Sequence, residues 1–207
     1  MATTDTTPLA ANPVERIHQV AAKVYIEAPE NLVPRDYVDV FHEWIRLDTL
    51  PELVIDVTDY SHVHHGPGVM LIGHEGHYSV DDTDGRLGLT YWFKRDEPGP
   101  LVSKARAALE RTLRAAALLE KHPRLANKLR FRGDEARIIL ASRLLAPNTA
   151  ETFDATSPVI EEVLSALYAG APVTLEAEAD ATRPFAVAAK TTGDHRVSQL
   201  LERLAAS

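Results

Sequence analysis

The chain has 207 residues, 45% of them apolar, no cysteine and a net charge of −8. That length suits one domain, or two closely packed subdomains, and should bury roughly 70% of the unfolded chain's surface without disulfides or a structural metal. Disulfides and thiolate metal sites are excluded, and the acidic balance disfavours nonspecific binding to nucleic acid or anionic lipid. The N-terminus has no basic segment followed by an apolar core, and no run approaches the ~18 apolar residues of a membrane span, so a cytoplasmic protein is expected.

Residues 1–20, rich in Thr, Ala and Pro near their start, are expected to be a flexible N-terminus, with one α+β domain over 21–207. Lys23–Glu27 has strand propensity and stops at Ala28-Pro29. Pro34 then opens a helix in its favoured first-turn position, where Tyr37, Phe41, Trp44 and Ile45 make an apolar stripe. Leu53–Val57 is a short apolar run, expected as a central strand. Ser61–Gly68 is a loop rich in His and Gly. Val69–Val80 and Arg86–Lys94 look like a hairpin turned by Asp81-Asp-Thr-Asp-Gly85.

The strongest helix signal runs over Pro100–Lys121, with Val102, Ala105, Leu109, Leu113, Ala116 and Leu119 on one face and Pro123 as a stop. Leu129–Arg132 and Ala136–Leu140 flank Gly133-Asp134 as a second hairpin. Ser157-Pro158 reads as the cap and first position of a helix that ends near Gly170. Val173–Ala177 and Phe185–Ala189 follow as strands, and Arg196–Leu204 as a terminal helix. Paired strands outnumber strict βαβ alternation, which predicts α+β: a mixed, mostly antiparallel sheet with helices packed mainly on one side. Pro98-Gly99-Pro100 is a possible subdomain break, or an ordinary strand-to-helix turn.

Chemistry-bearing side chains concentrate in one place. Five of the nine histidines, His62, His64, His65, His74 and His77, fall within sixteen residues, with Glu75 among them. Imidazole and carboxylate suit Zn, Fe, Ni or Cu. His74-Glu75-Gly76-His77 does not match the zinc-protease pattern, because its histidines are three apart and its glycines oppose a helix. In a strand, His74 would share an inner face with Met70, Ile72, Tyr78 and Val80, and His77 would point the other way. Three readings stay open: a core histidine at position 74, a transition-metal site, or a metal-free His–carboxylate pair such as His74 with Asp56 or Asp59.

Other motifs exclude more than they assign. Gly66-Pro-Gly68 matches neither a phosphate loop nor a dinucleotide fingerprint, and reads as a turn entering a strand. Asp81–Gly85 cannot be an EF-hand, because the first and twelfth ligand positions fall on Val80 and Tyr91. Lys128, Arg130, Arg132, Arg137 and Arg143 form a basic stretch, either a solvated face paired with acids or a site for an anionic ligand.

The runs Asp56-Val-Thr-Asp-Tyr-Ser-His62, Gly66-Pro-Gly-Val-Met-Leu-Ile-Gly-His-Glu75 and Arg143-Leu-Leu-Ala-Pro-Asn-Thr149 resemble a set of uncharacterised bacterial proteins of similar length. The resemblance spans about Lys23 to Lys190. It implies a bacterial protein built as one unit and carries no mechanism.

The expected function is binding of a transition metal or small ligand through the His-rich loop and strand, with His62, His74, His64, His65, His77 and Glu75 as candidate ligands. The alternative is a non-catalytic accessory or assembly protein acting through its surface. Two-fold dimers are the commonest soluble assembly, and Tyr91-Trp92-Phe93 must expose either one ring or two on the face away from the helices, so a homodimer is expected.

Overall fold

The computed structural model describes residues 16–27, 31–95, 97–126 and 128–206. Most of the N-terminal segment expected to be flexible lies outside them, as do Ala28 and Pro29. Strand β1 (Val20–Glu27) leads through α1 (Pro34–Leu47) to a meander of β2 (Val54–Tyr60), β3 (Gly68–Gly73), β4 (Gly76–Asp81) and β5 (Gly88–Phe93). Then follow α2 (Leu101–Lys121), β6 (Arg130–Leu140), α3 (Ala150–Leu167), β7 (Val173–Ala177), β8 (Phe185–Thr191) and α4 (Val197–Ala206). The strands form one sheet in the order β2-β3-β4-β5-β1-β6-β8-β7. Every ladder is antiparallel, so the α+β class holds and the sheet is not mixed.

Period-two alternation decides the layers. Val20, Ala22 and Val24 of β1 point into one core with Leu71, Tyr78, Leu89, Ile138 and Val187, and buried residues of all four helices join that core. The apolar stripes of α1 and α2 therefore do what their spacing predicts: Tyr37, Phe41 and Trp44, and Leu109, Leu113 and Leu119, are all buried. Among the described residues, no helix contributes to the apolar cluster on the other sheet face. There Ala21, Ile139 and Ala186 pack with Trp92, while Tyr91 and Phe93 are core rings, so the aromatic trio places a single ring on the helix-free side.

Four elements differ from their sequence expectation. Val69–Val80 is two strands, because Gly73 and Gly76 let the chain reverse at His74-Glu75: a Cβ on Gly73 would lie 2.6 Å from Gly76 O, and one on Gly76 would collide with Trp92 O. β2 is an edge strand rather than a central one; Val54 and Val57 reach the core, while Asp56 and Asp59 stay in solvent. β6 runs unbroken through Gly133-Asp134, held along β1 across a register shift between Val24 and Ile26. Gly133 is needed there for close approach, not for a turn, since a Cβ would collide with His195 O.

The fourth difference is α3. It begins at Ala150, capped by Thr149, whose hydroxyl accepts from the Thr152 N–H, and Pro158 lies inside it. Ser157 does not cap: its hydroxyl donates back to Phe153 O at 2.5 Å, and that of Thr156 donates to Thr152 O at 2.8 Å. A proline in a helix interior removes one ladder hydrogen bond. Pro158→Ala is therefore expected to stabilise the protein by about 1–2 kcal/mol, read as a rise in thermal midpoint. Pro98-Gly99-Pro100 makes the strand-to-helix turn, and α2 packs across β1, β5 and β6 alike.

Candidate functional site

The His-rich segment is divided between the two ends of β3. His62, His64 and His65 are exposed on the β2–β3 loop, which is built from two tight turns closed by Val63 N–H to Tyr60 O and Gly66 N–H to Val63 O. His74 is exposed on the β3–β4 turn. Six residues of strand separate the two groups, roughly 20 Å at about 3.4 Å per residue. The expected inner-face position of His74 does not occur, because the turn at 74–75 resets the strand parity and leaves Val69, Leu71, Tyr78 and Val80 facing the core. Glu75 accepts from Arg111 Nη2 at 2.9 Å.

His77 lies on the helix-free face, paired across the sheet with Ile72 and Trp92. Burial, aided by the charge of Lys94, holds its imidazole below the usual range. Its Nδ1 has no partner among the described residues. What the structure does bring together is His64 and His65, with ring centroids 3.9 Å apart. His65, in the left-handed region at φ 50°, places Nδ1 3.4 Å from Asp82 Oδ2. Among the described residues, no three His, Asp or Glu side chains form a group that could hold a metal ion.

Beside this pair is a cavity of about 200 Å³, open on one side. Leu32, Val33, Pro34 and Tyr37 form one wall at the start of α1. Ser61, Val63, Gly66 and Gly68 of the His-rich loop, the strand residues Val69 and Val80, and Asp81, Asp82 and Leu87 complete the lining. Local sequence explains each wall. Pro34 is preorganised for the first helical turn, and the Asp36 carboxylate accepts from the Val33 N–H at 3.0 Å. The loop is pinned at its start, where Asp59 Oδ1 accepts from the Ser61 N–H at 2.8 Å. Hydrogen bonds from Ser61 hold the Asp59 carboxyl below its usual range, with the His62 charge adding a little.

Tyr37 is the unusual wall residue. It is 4% exposed, yet its hydroxyl has no hydrogen-bond partner among the described residues. Burial first, and the charge of Asp36 second, push its pKa well above the ordinary tyrosine value, so it stays a neutral phenol. An unpartnered buried hydroxyl costs about 1–3 kcal/mol, and a ligand acceptor would have to part the side chains that cover this one to reach it. Helical spacing marked Tyr37 only as part of the α1 stripe; its place beside the His-rich loop depends on contacts between segments far apart in sequence.

Elsewhere the arginines of the basic stretch already have partners: Arg130 pairs with Asp194, Arg132 with Asp134 and Arg137 with Glu178, and Arg143 donates to Thr182 O. A second cavity near α2 is lined by Glu52, Glu75, Glu97 and Glu110 around Arg111. There Arg111 already bonds Glu75 and Glu97, and Tyr78 donates to Glu52. No protein-family model matches the chain, and none of the curated proteins gives a significant match. Among the described residues, no helix is long and apolar enough to cross a membrane.

Proposed function

We propose that the protein binds a small, largely apolar molecule in the cavity between the His-rich loop and the start of α1. The observation that carries this is the buried, unpartnered Tyr37 hydroxyl in a wall otherwise made mostly of Leu, Val and Pro side chains. Apolar pockets with a few fixed polar groups are the usual form of a small-molecule site. The volume of about 200 Å³ limits the buried part of the ligand to one ring or a short branched chain.

Tyr37→Phe separates a ligand contact from a structural one. Removing an unpartnered hydroxyl should leave the thermal midpoint unchanged or higher. The same change should weaken binding of 4-ethylphenol, followed by ligand-observed NMR, by about tenfold, the value of one hydrogen bond. A drop in stability on Tyr37→Phe, or 4-ethylphenol signals that do not respond to the protein, would overturn the proposal and favour a protein that acts through its surface.

A further inference from the structure

We infer that the ligand carries a primary ammonium group on its apolar body, with the cation seated against Asp82. This rests on the cavity being a ligand site, and it adds the ligand's charge. Among the described residues, the cavity lining includes two aspartates and no lysine or arginine. The two differ in what they already hold. Asp81 is 2% exposed and saturated: it accepts from Lys23 Nζ at 3.0 Å, Ser79 at 2.8 Å, Thr90 at 2.7 Å and the Thr83 hydroxyl at 2.6 Å. The Asp82 side chain is 47% exposed, and among the described residues its ionisable neighbour is His65, at 3.4 Å. Among the described residues that line the cavity, Asp82 is therefore the carboxylate with capacity left.

The start of α1, which also lines the cavity, offers an anion little. A helix N-terminus ordinarily attracts negative charge through its free N–H groups. In α1, Pro34 has no N–H to offer and the Asp36 carboxylate already occupies the terminus. A carboxylate or phosphate ligand would instead meet Asp81 and Asp82 in the cavity lining. An ammonium meets an open acceptor, and three N–H donors can serve Asp82 while the apolar body fills the space beside Tyr37. Because Asp82 is half-exposed, this attraction is screened and must weaken with salt.

The test is a charge series on one skeleton: tyramine, tyrosol and 3-(4-hydroxyphenyl)propionate, with 4-ethylphenol as the uncharged reference. Calorimetry on the full chain in low salt is expected to show tyramine binding at least tenfold tighter than tyrosol, and the propionate weakest. Asp82→Asn should reduce tyramine to the affinity of tyrosol and leave 4-ethylphenol within twofold. Equal binding across the series, a tighter propionate, or a tyramine preference that survives Asp82→Asn would overturn the ammonium assignment while the ligand site stands. Failure of 4-ethylphenol itself to bind would remove the ligand site, and this inference with it.

Discussion

Lys23→Met is expected to destabilise the protein by about 3–5 kcal/mol, measured as a lower urea midpoint, because it leaves buried carboxylates without their cation. Lys23 sits on the helix-free face of β1 and is only 1% exposed. Its Nζ donates to Asp81 Oδ1 at 3.0 Å, Asp84 Oδ1 at 2.6 Å and the carbonyls of Asp81 and Arg86 at 3.2 and 2.9 Å. Gly88 opens the passage for this side chain, since a Cβ there would lie 2.6 Å from Lys23 Cε. Neutralising the partners tests the cause: Lys23→Met with Asp81→Asn and Asp84→Asn should recover part of the loss, whereas a mere packing defect would persist in the triple variant.

The same cluster sets an acid limit. Burial alone would raise the Asp84 carboxyl, but Lys23, Tyr25 and Arg137 together hold it below the usual carboxylate range. A carboxyl depressed in the folded state stabilises at neutral pH, and that contribution is lost as pH falls through the folded value. Wild-type stability should therefore drop in acid below the ordinary carboxylate range. Lys23→Met should flatten that drop, because Asp84 has then lost the cation that depresses it most. An unchanged acid profile in the variant would contradict the assignment.

Gly68→Ala should destabilise by about 3 kcal/mol or more and empty the candidate site. Gly68 starts β3 at φ 61°, and an added Cβ would collide with the Val80 carbonyl and lie 3.2 Å from Asp81 Cα. Both obstacles are backbone, so relief means parting β3 from β4, the two strands whose ends line the cavity. Gly85→Ala is the control: its φ is 83° but nothing lies within 4 Å, so it should cost only about 1–2 kcal/mol for the left-handed backbone. Equal midpoints for the two variants would show that the strand contact is not what matters at Gly68.

Much of the fold was legible because its signals are local. The stripes of α1 and α2, the Asp81–Gly85 turn and β7 follow from periodicity and turn chemistry within short windows. Errors came where a local signal had two meanings. Glycine marks a turn at Gly73-His74-Glu75-Gly76 and close packing at Gly133, whereas the sequence reading put the first pair inside one strand and the turn at Gly133-Asp134. Pro158 has the signature of a helix start, yet the hydroxyls of Thr156 and Ser157 supply hydrogen bonds inside a continuous helix. The candidate site was half legible. The loop from Ser61 to Gly68 stood out by composition, but Tyr37, Leu87 and the apolar walls meet it only through the sheet order.

That sheet order also governs how the chain must assemble. β1 lies between β5 and β6, so the β2–β5 meander and the β6–β8–β7 set are joined edge to edge through β1 alone. Val24 pairs with Leu89 on one side and with Ala136 on the other. During synthesis the first strand of the sheet must therefore wait with one edge bare until residues beyond 130 emerge. Such non-local pairing makes folding slow and leaves a template for mispairing in the interval. In the finished protein the same strand is the seam along which the sheet would part.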